Sequence, residues 1–199
     1  MLRERSMEDA TKTRKPEHKI NTLFVKRWSP RAMSGEEMSD EEIFSLFEAA
    51  RWAPSSSNLQ PWRFIYAKRN TQHWDRLFNL LNEGNRLWCK NAAVLAVVVS
   101  ATMREPGKPL RTHSYDTGSA WENLALQGAS MGFVVHGMAG FDYDKAKSEL
   151  HVPDDFQVEA MFAAGKPGKK QDLPESLQAR EIPSDRKKIK EFIFEGQWR

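Results

Sequence analysis

Cys89 is the only cysteine in the chain, so no disulfide can form within it and no cysteine cluster can hold zinc or an iron–sulfur group. Beside Trp88 and just before an apolar run, it reads as a small buried hydrophobe. Long hydrophobic runs are also missing. The longest, Ala92–Ala101, is too short to cross a membrane, and residues 1–19 are charged without the apolar centre of a secretory signal. A cytoplasmic protein with no membrane partner is expected. Charge of one sign is lacking too: 30 Lys and Arg face 27 Asp and Glu, so the net charge of +3 does not call for nucleic acid. The common catalytic signatures are absent. No Gly-x-Gly-x-x-Gly follows a strand, and neither His-Glu-x-x-His nor Gly-x-Ser-x-Gly occurs. The five histidines are scattered, which gives a metal site little support. Gly165-Lys166-Pro167-Gly168-Lys169-Lys170 imitates a phosphate loop but lacks the Ser or Thr after the lysine.

What is present, 199 residues of which 40% are hydrophobic, suits one soluble domain with a sizeable core. Residues 1–19 read as a flexible arm, and 20–199 as one domain ending in an apolar tail, 186–199, that must dock on its own domain or on a partner. Ile20–Lys26 suits two helical turns, after which Pro30 forces Arg27-Trp28-Ser29-Pro30-Arg31 out of helix. That turn is either a solvated basic loop or a phosphate clamp, since guanidinium forks match phosphate oxygens. Ser39-Asp40-Glu41-Glu42 opens a helix running to about Trp52. Trp62–Ala67, Ala92–Ala101, Gly132–Gly137 and Val158–Gly165 read as strands. Helices are expected over Thr71–Leu81, Ser114–Met131 and Asp142–Leu150, turns at Asn82–Asn85 and Gly137–Gly140, a loop at 102–112, and an extended segment over 173–185. Helices and strands alternate, so the class is α+β of the three-layer α/β type, a mixed central sheet flanked by helices.

Between the second helix and the first strand lies Pro54-Ser55-Ser56-Ser57-Asn58-Leu59-Gln60-Pro61, dense in hydrogen-bonding groups and framed by Trp52 and Trp62. Such a loop is a mere connector as often as it is a site. No carboxylate pair stands out for acid–base work. The inventory of Arg27, Ser29, Arg31, this loop, the 137–140 turn and Arg186-Lys187 suits binding a flat, anionic, hydrogen-bond-rich ligand. It points to an enzyme whose cofactor does the chemistry.

Arg27-Trp28-Ser29-Pro30-Arg31, then Pro54-Ser55-Ser56-x-Asn58-x-Gln60-Pro61-Trp62, then Met138-Ala139-Gly140 and the late Arg186-Lys187 resemble, in order, the FMN-dependent nitroreductase family. The resemblance covers about residues 20–198. It implies an intertwined homodimer holding FMN at the subunit interface, with NADH or NADPH as electron donor and a nitroaromatic, quinone or similar small molecule as acceptor. Arg27, Trp28, Ser29 and Arg31 would reach the FMN of one subunit, and Pro54, Ser55, Ser56 and Asn58 would reach the same flavin from the other. Gly137, Met138, Ala139 and Gly140 would lie against its ring, and Asn85 stands where members often have a ring contact. Arg186, helped by Lys187, would take the phosphate, with Lys188 next in line. No side chain is expected to be catalytic in its own right, since the chemistry is flavin-centred. Trp28 replaces a usually basic or His position. The 102–112 loop lacks the covering insertion of longer members, which implies an open site. Two rival classes are a flavin-binding sensor or storage protein without turnover and, more weakly, a Trp-rich nucleic-acid binder.

Overall fold

The computed structural model describes residues 9–198. Residues 1–8, the first part of the expected flexible arm, and Arg199 lie outside them. The described part of the arm packs against the body: Ala10 opens a short 3-10 turn and is buried, and Arg14 is buried as well.

Helix α1 (Thr22–Lys26) is capped by the Asn21 side chain, which accepts the Leu23 N–H. Helix α2 (Asp40–Arg51) starts on a capping box in which Ser39 Oγ accepts the Glu42 N–H and Glu42 Oε2 accepts the Ser39 N–H. Strand β1 (Trp62–Lys68) follows, then the short helices α3 (Trp74–Phe78) and α4 (Glu83–Cys89). Strand β2 (Val94–Ala101) leads into a small hairpin, β3 (Met103–Glu105) and β4 (Lys108–Pro109), which turns at Gly107 with φ 74°. Helix α5 (His113–Ser130), strand β5 (Val134–Met138), helix α6 (Tyr143–Glu149), strand β6 (Phe156–Gly165) and helix α7 (Glu175–Gln178) complete the chain.

The central sheet has the order β1-β2-β6-β5. Each of its three pairings is antiparallel, which narrows the expected mixed sheet to an antiparallel one within this chain. Strand β2 is buried along almost its whole length, and its alternate side chains feed two cores. Leu95, Val97 and Val99 join Leu77, Leu81 and Trp88 on one face, while Val94, Ala96 and Val98 join Ile43 and Leu46 of α2 and Ala120 and Leu124 of α5 on the other. That double burial is why its sequence is a continuous apolar run. The result is three layers, helix–sheet–helix.

Helix α5 lies tight on the sheet. A Cβ at Gly128 would come within 2.5 Å of Val135 Cγ2. Its start is tied down by a β-bulge: Val98 pairs with Ala160 and Val99 with Val158, leaving Glu159 unpaired. Glu159 accepts from Ser114 Oγ at 2.6 Å and from Ser100 Oγ, and Ser100 Oγ in turn lies 2.8 Å from His113 Nδ1.

Four expectations change. The 71–81 helix shrinks to Trp74–Phe78. The expected turn at Asn82–Asn85 is the start of α4, because the Asn82 side chain accepts the Asn85 N–H and caps a helix there. The 102–112 loop folds as the β3–β4 hairpin. The extended 173–185 segment holds one helical turn, α7, begun at Pro174.

Candidate functional site

Three groups of residues stand out, and the fold links two of them. The first is a cationic corner. Pro30 keeps residues 27–31 out of helix, so their backbone groups need partners from elsewhere. Those partners are buried side chains. Glu181, 4% exposed, accepts the N–H of Arg31 at 2.7 Å and of Ala32 at 2.8 Å through Oε1, with Arg31 Nη1 3.8 Å from its Oε2. Pro30 contributes its carbonyl to His136 Nδ1 at 2.8 Å. A carbonyl only accepts, so Nδ1 carries the proton. Burial, then the Arg31 and Arg27 charges, outweigh the hydrogen bonds to the Pro30 and Ser29 backbone and hold the His136 pKa down at about 4, so the ring is neutral near pH 7.

Arg14 comes from the N-terminal segment into the same corner. Its Nε donates to the Ser184 carbonyl at 2.8 Å, and its Nη1 donates to the carbonyls of Val25 at 3.0 Å and Arg27 at 2.7 Å. Burial, followed by Arg186 and then Arg27, pushes its pKa below the ordinary arginine value. Arg27 donates to Ser29 Oγ at 3.3 Å and sits 3.7 Å from Glu122 on α5. Arg186 is exposed and, among the described residues, bonds only to its neighbours Ser184 and Asp185. A cavity of about 500 Å³ opens beside this corner, lined by Arg14, Phe24, Val25, Arg186, Lys187 and Phe192 among others.

The second group is the end of β5. Gly137 and Met138 belong to the strand, so the expected turn begins only at Ala139. Gly137 is small for a packing reason, since a Cβ there would lie 2.8 Å from Trp121 Cζ2. Met138 points inward, its sulfur 3.4 Å from Cys89 Sγ, and burial pushes that thiol's pKa up. Gly140 is crowded by Asn82 and Asn85, and Asn85 Nδ2 donates to its carbonyl at 3.0 Å. The Asn85 amide, expected at a flavin ring, is therefore engaged in holding this turn. Strand β5 joins the first two groups through His136.

The third group is the Pro54–Gln60 loop. Ser57, Asn58 and Gln60 all have φ between 50° and 54°, a left-handed run that non-glycine residues adopt only when held. Buried Asp116 on α5 does part of the holding: its Oδ2 accepts the Ser56 N–H at 3.1 Å and the Thr112 hydroxyl at 2.9 Å. Ser55 Oγ accepts the Gln60 N–H, and Gln60 Nε2 donates to the Asn58 carbonyl. Among the described residues no hydrogen bond or ion pair joins this loop to Arg27–Arg31, to 137–140 or to Arg186. In one chain the sequence-predicted residues thus form two clusters.

Sequence reasoning missed Arg14, Glu181 and Asp116. Arg14 lay in a stretch read as an arm. Glu181 and Asp116 are lone carboxylates whose importance is set by backbone N–H groups far away in sequence. Only the helix-start position of Asp116 hinted at an anchoring role.

The residues fit a phosphate-bearing aromatic ligand. Among the described residues Arg14 has no carboxylate bonded to it, and the buried indole N–H groups of Trp28 and Trp121 find no partner. No group of three or more His, Cys, Asp or Glu among the described residues is placed to hold a metal. No described helix is long and apolar enough to cross a membrane.

Comparison with known proteins points the same way. The model of the nitroreductase family matches residues 24–87. A crystal structure of an oxidoreductase containing FMN is 43% identical, covers 94% of this chain and 96% of its own, and superposes with a TM-score of 0.90. A Polynucleobacter asymbioticus protein named "Putative NADH dehydrogenase/NAD(P)H nitroreductase" is 27% identical over 66% of this chain and 76% of its own length. A nitroreductase family protein of Clostridium difficile, 19% identical, shares the fold over 91% of this chain and all of its own, with a TM-score of 0.68.

Proposed function

This chain belongs to the nitroreductase family of flavin oxidoreductases, and from that premise we propose that it is a homodimeric FMN enzyme reducing small acceptors with NAD(P)H. When bound, FMN supplies the redox chemistry, accepting hydride from NADH or NADPH at N5 and passing electrons to a nitroaromatic, quinone or similar small molecule. The observation that carries the reading is the convergence of Arg27, Ser29, Arg14 and Arg186, from the two ends of the chain, on one corner. It is supported by the near-full-length likeness to a structure that contains FMN.

The residues of this chain bind and orient. Arg27, Ser29 and Arg31 serve the phosphate and ribityl chain, joined by Arg186 with Lys187 alongside, and the Trp28 indole N–H is a further donor. The backbone of 137–140 lies along the ring edge, with Asn85 acting through Gly140. Pro54, Ser55, Ser56 and Asn58 face outward and serve the flavin of the second subunit. Exposed Ile20, Phe24, Phe192 and Ile193, with Trp198 85% exposed, supply an apolar surface for that subunit. We read residues 20–199 as one FMN-binding domain with 186–199 as its docking tail. His136 neither gives nor takes a proton near pH 7, because it is neutral and its N–H is engaged. In an open site water meets the proton demand.

The test is purification followed by flavin absorbance, then anaerobic addition of NADH and of NADPH, then of a nitroaromatic or a quinone. Bleaching by a nicotinamide and recovery with the acceptor are expected. A colourless protein that takes up no FMN overturns the reading, and a flavoprotein that neither nicotinamide bleaches overturns the donor. Sedimentation of the flavin-loaded protein as a monomer overturns the shared site.

A further inference from the structure

We propose that Arg14 is a phosphate-positioning residue: it clamps the segments carrying Arg27 and Arg186 so that both face one flavin phosphate. The inference rests on the FMN reading above and goes beyond it, since residues 9–19 carry none of the motifs that resemble the family.

The argument is geometric. Arg14 donates to three carbonyls in two segments: Val25 near the end of α1 and Arg27 just after it, and Ser184 in the tail. Residues 25–27 and 184 are separated by most of the chain, and no other hydrogen bond among the described residues joins residues 25–29 to 184–188. Arg186 lies two residues beyond Ser184, and its Nη1 bonds to the Ser184 hydroxyl at 3.2 Å. Fixing Ser184 therefore limits where the Arg186 guanidinium can reach. On the other side, holding the Arg27 carbonyl orients the residue whose side chain turns to Ser29 Oγ. Guanidinium geometry suits this role, because its fork serves several carbonyls at once in fixed directions.

The electrostatics need explaining as well. A buried guanidinium is costly unless paired. Arg14 is buried, satisfied by carbonyls rather than by a carboxylate, and Arg186 and Arg27 are near enough to disfavour its charge further. The opposing charges nearby belong to Asp185, which partly offsets this, to Glu122, which sits 3.7 Å from Arg27 Nε, and to Glu17, which lines the cavity beside Arg14 and is engaged by the Ile189 N–H and by Lys188. Three guanidiniums held together against their mutual repulsion are a site in need of an anion, and a phosphate monoester dianion relieves that repulsion most.

The experiment compares FMN with riboflavin, which is the same flavin without its phosphate. Affinities of the flavin-free protein for both are measured by fluorescence quenching in the wild type, Arg14→Gln, Arg14→Lys, Arg186→Ala and the Arg14→Gln/Arg186→Ala double variant. In Arg14→Gln, FMN affinity is expected to fall about tenfold or more while riboflavin changes less than about threefold, the size expected when charge-assisted phosphate contacts are lost. Arg14→Lys, which keeps the charge but not the fork, should fall between. In the Arg186→Ala background, Arg14→Gln should cost clearly less than in the wild type, because only its hold on the Arg27 segment then remains to be lost. Parallel weakening of FMN and riboflavin in both Arg14 variants would show a merely structural role and overturn the inference. So would unchanged FMN affinity, or full additivity in the double variant. If Arg14→Gln does not fold, Arg14→Lys decides by the same ratio. A wild type that binds riboflavin as tightly as FMN removes the phosphate site alone. A wild type that binds neither overturns the FMN reading itself.

Discussion

The cationic corner and the Pro54–Gln60 loop are both built from polar residues at breaks between elements, yet they are held in opposite ways. The corner is fixed from outside. Arg14 from the preceding segment, and His136 and Glu181 from far along the chain, take up the backbone groups of residues 25–32. The loop is held mostly by itself, with three left-handed non-glycine residues, four internal hydrogen bonds and one outside carboxylate, Asp116. The corner spends buried charge to make a preorganised receptor for an anion. The loop stores local strain and presents neutral donors and acceptors outward. A receptor that grips a charge must be rigid before the charge arrives. A surface offered to another subunit need only hold its shape.

The comparison is broken most directly at Glu181. Glu181→Ala leaves the N–H groups of Arg31 and Ala32 and the Arg31 charge without their buried partner, and should destabilise the protein by about 3–4 kcal/mol in chemical denaturation. Glu181→Gln keeps an acceptor oxygen and should cost about half as much. If Glu181→Ala costs under about 1 kcal/mol, the corner is not fixed from outside.

Acid tests the same corner. The His136 pKa in the folded protein, about 4, lies below the unfolded value near 6.5. Between those values the unfolded state binds the extra proton, so the stabilising contribution is fully present above pH 6.5 and is lost as pH falls towards 4. The loss should reach on the order of 3 kcal/mol, measured as unfolding free energy against pH. In His136→Gln that slope should flatten. An unchanged slope would mean that another group supplies it.

The loop's outside carboxylate is next in size. Asp116→Ala frees the Ser56 N–H and the Thr112 hydroxyl and should cost about 2 kcal/mol. It should weaken FMN and riboflavin alike, because the loop carries no phosphate contact. A selective loss of FMN would erase the division between loop and corner. The smallest effect belongs to Ser57→Gly. Relief of the left-handed strain should outweigh the added freedom of the unfolded chain by about 0.5 kcal/mol, read as a small rise in melting temperature. A fall would mean that the Ser57 conformation is not strained.

Much of the architecture is legible in the residues. The capping box at Ser39 and Glu42, the β-branched run of β2 and the small-residue helix α5 each carry a local signal strong enough to survive tertiary context. The misreadings fall where local signals conflict. Asn82-Glu83-Gly84-Asn85 has turn composition, but the Asn82 side chain caps a helix as readily as it builds a turn. Gly137 resembles a turn glycine, whereas it sits in a strand and is small because Trp121 leaves no room for a Cβ. The basic turn at 27–31 and the Ser-rich loop could be singled out, since proline, arginine and serine mark them. Their supports could not be.

The order of the four central-sheet strands and of helices α2 and α5, the doubly buried central strand, the absence of any cysteine framework and the residue types offered to a flavin follow from the sequence alone. Each depends on contacts between neighbours in the chain or on composition. Tertiary structure alone decided that Arg14 and Arg186 meet at Arg27, that Glu181 caps residues 31 and 32, and that one chain leaves the Pro54–Asn58 loop apart from the cationic corner. Those outcomes depend on burying charge beside backbone groups that only the fold brings close, from Arg27 near Arg14 in the chain to Ser184 at the far end. No local pattern encodes which carboxylate or guanidinium the fold will carry there.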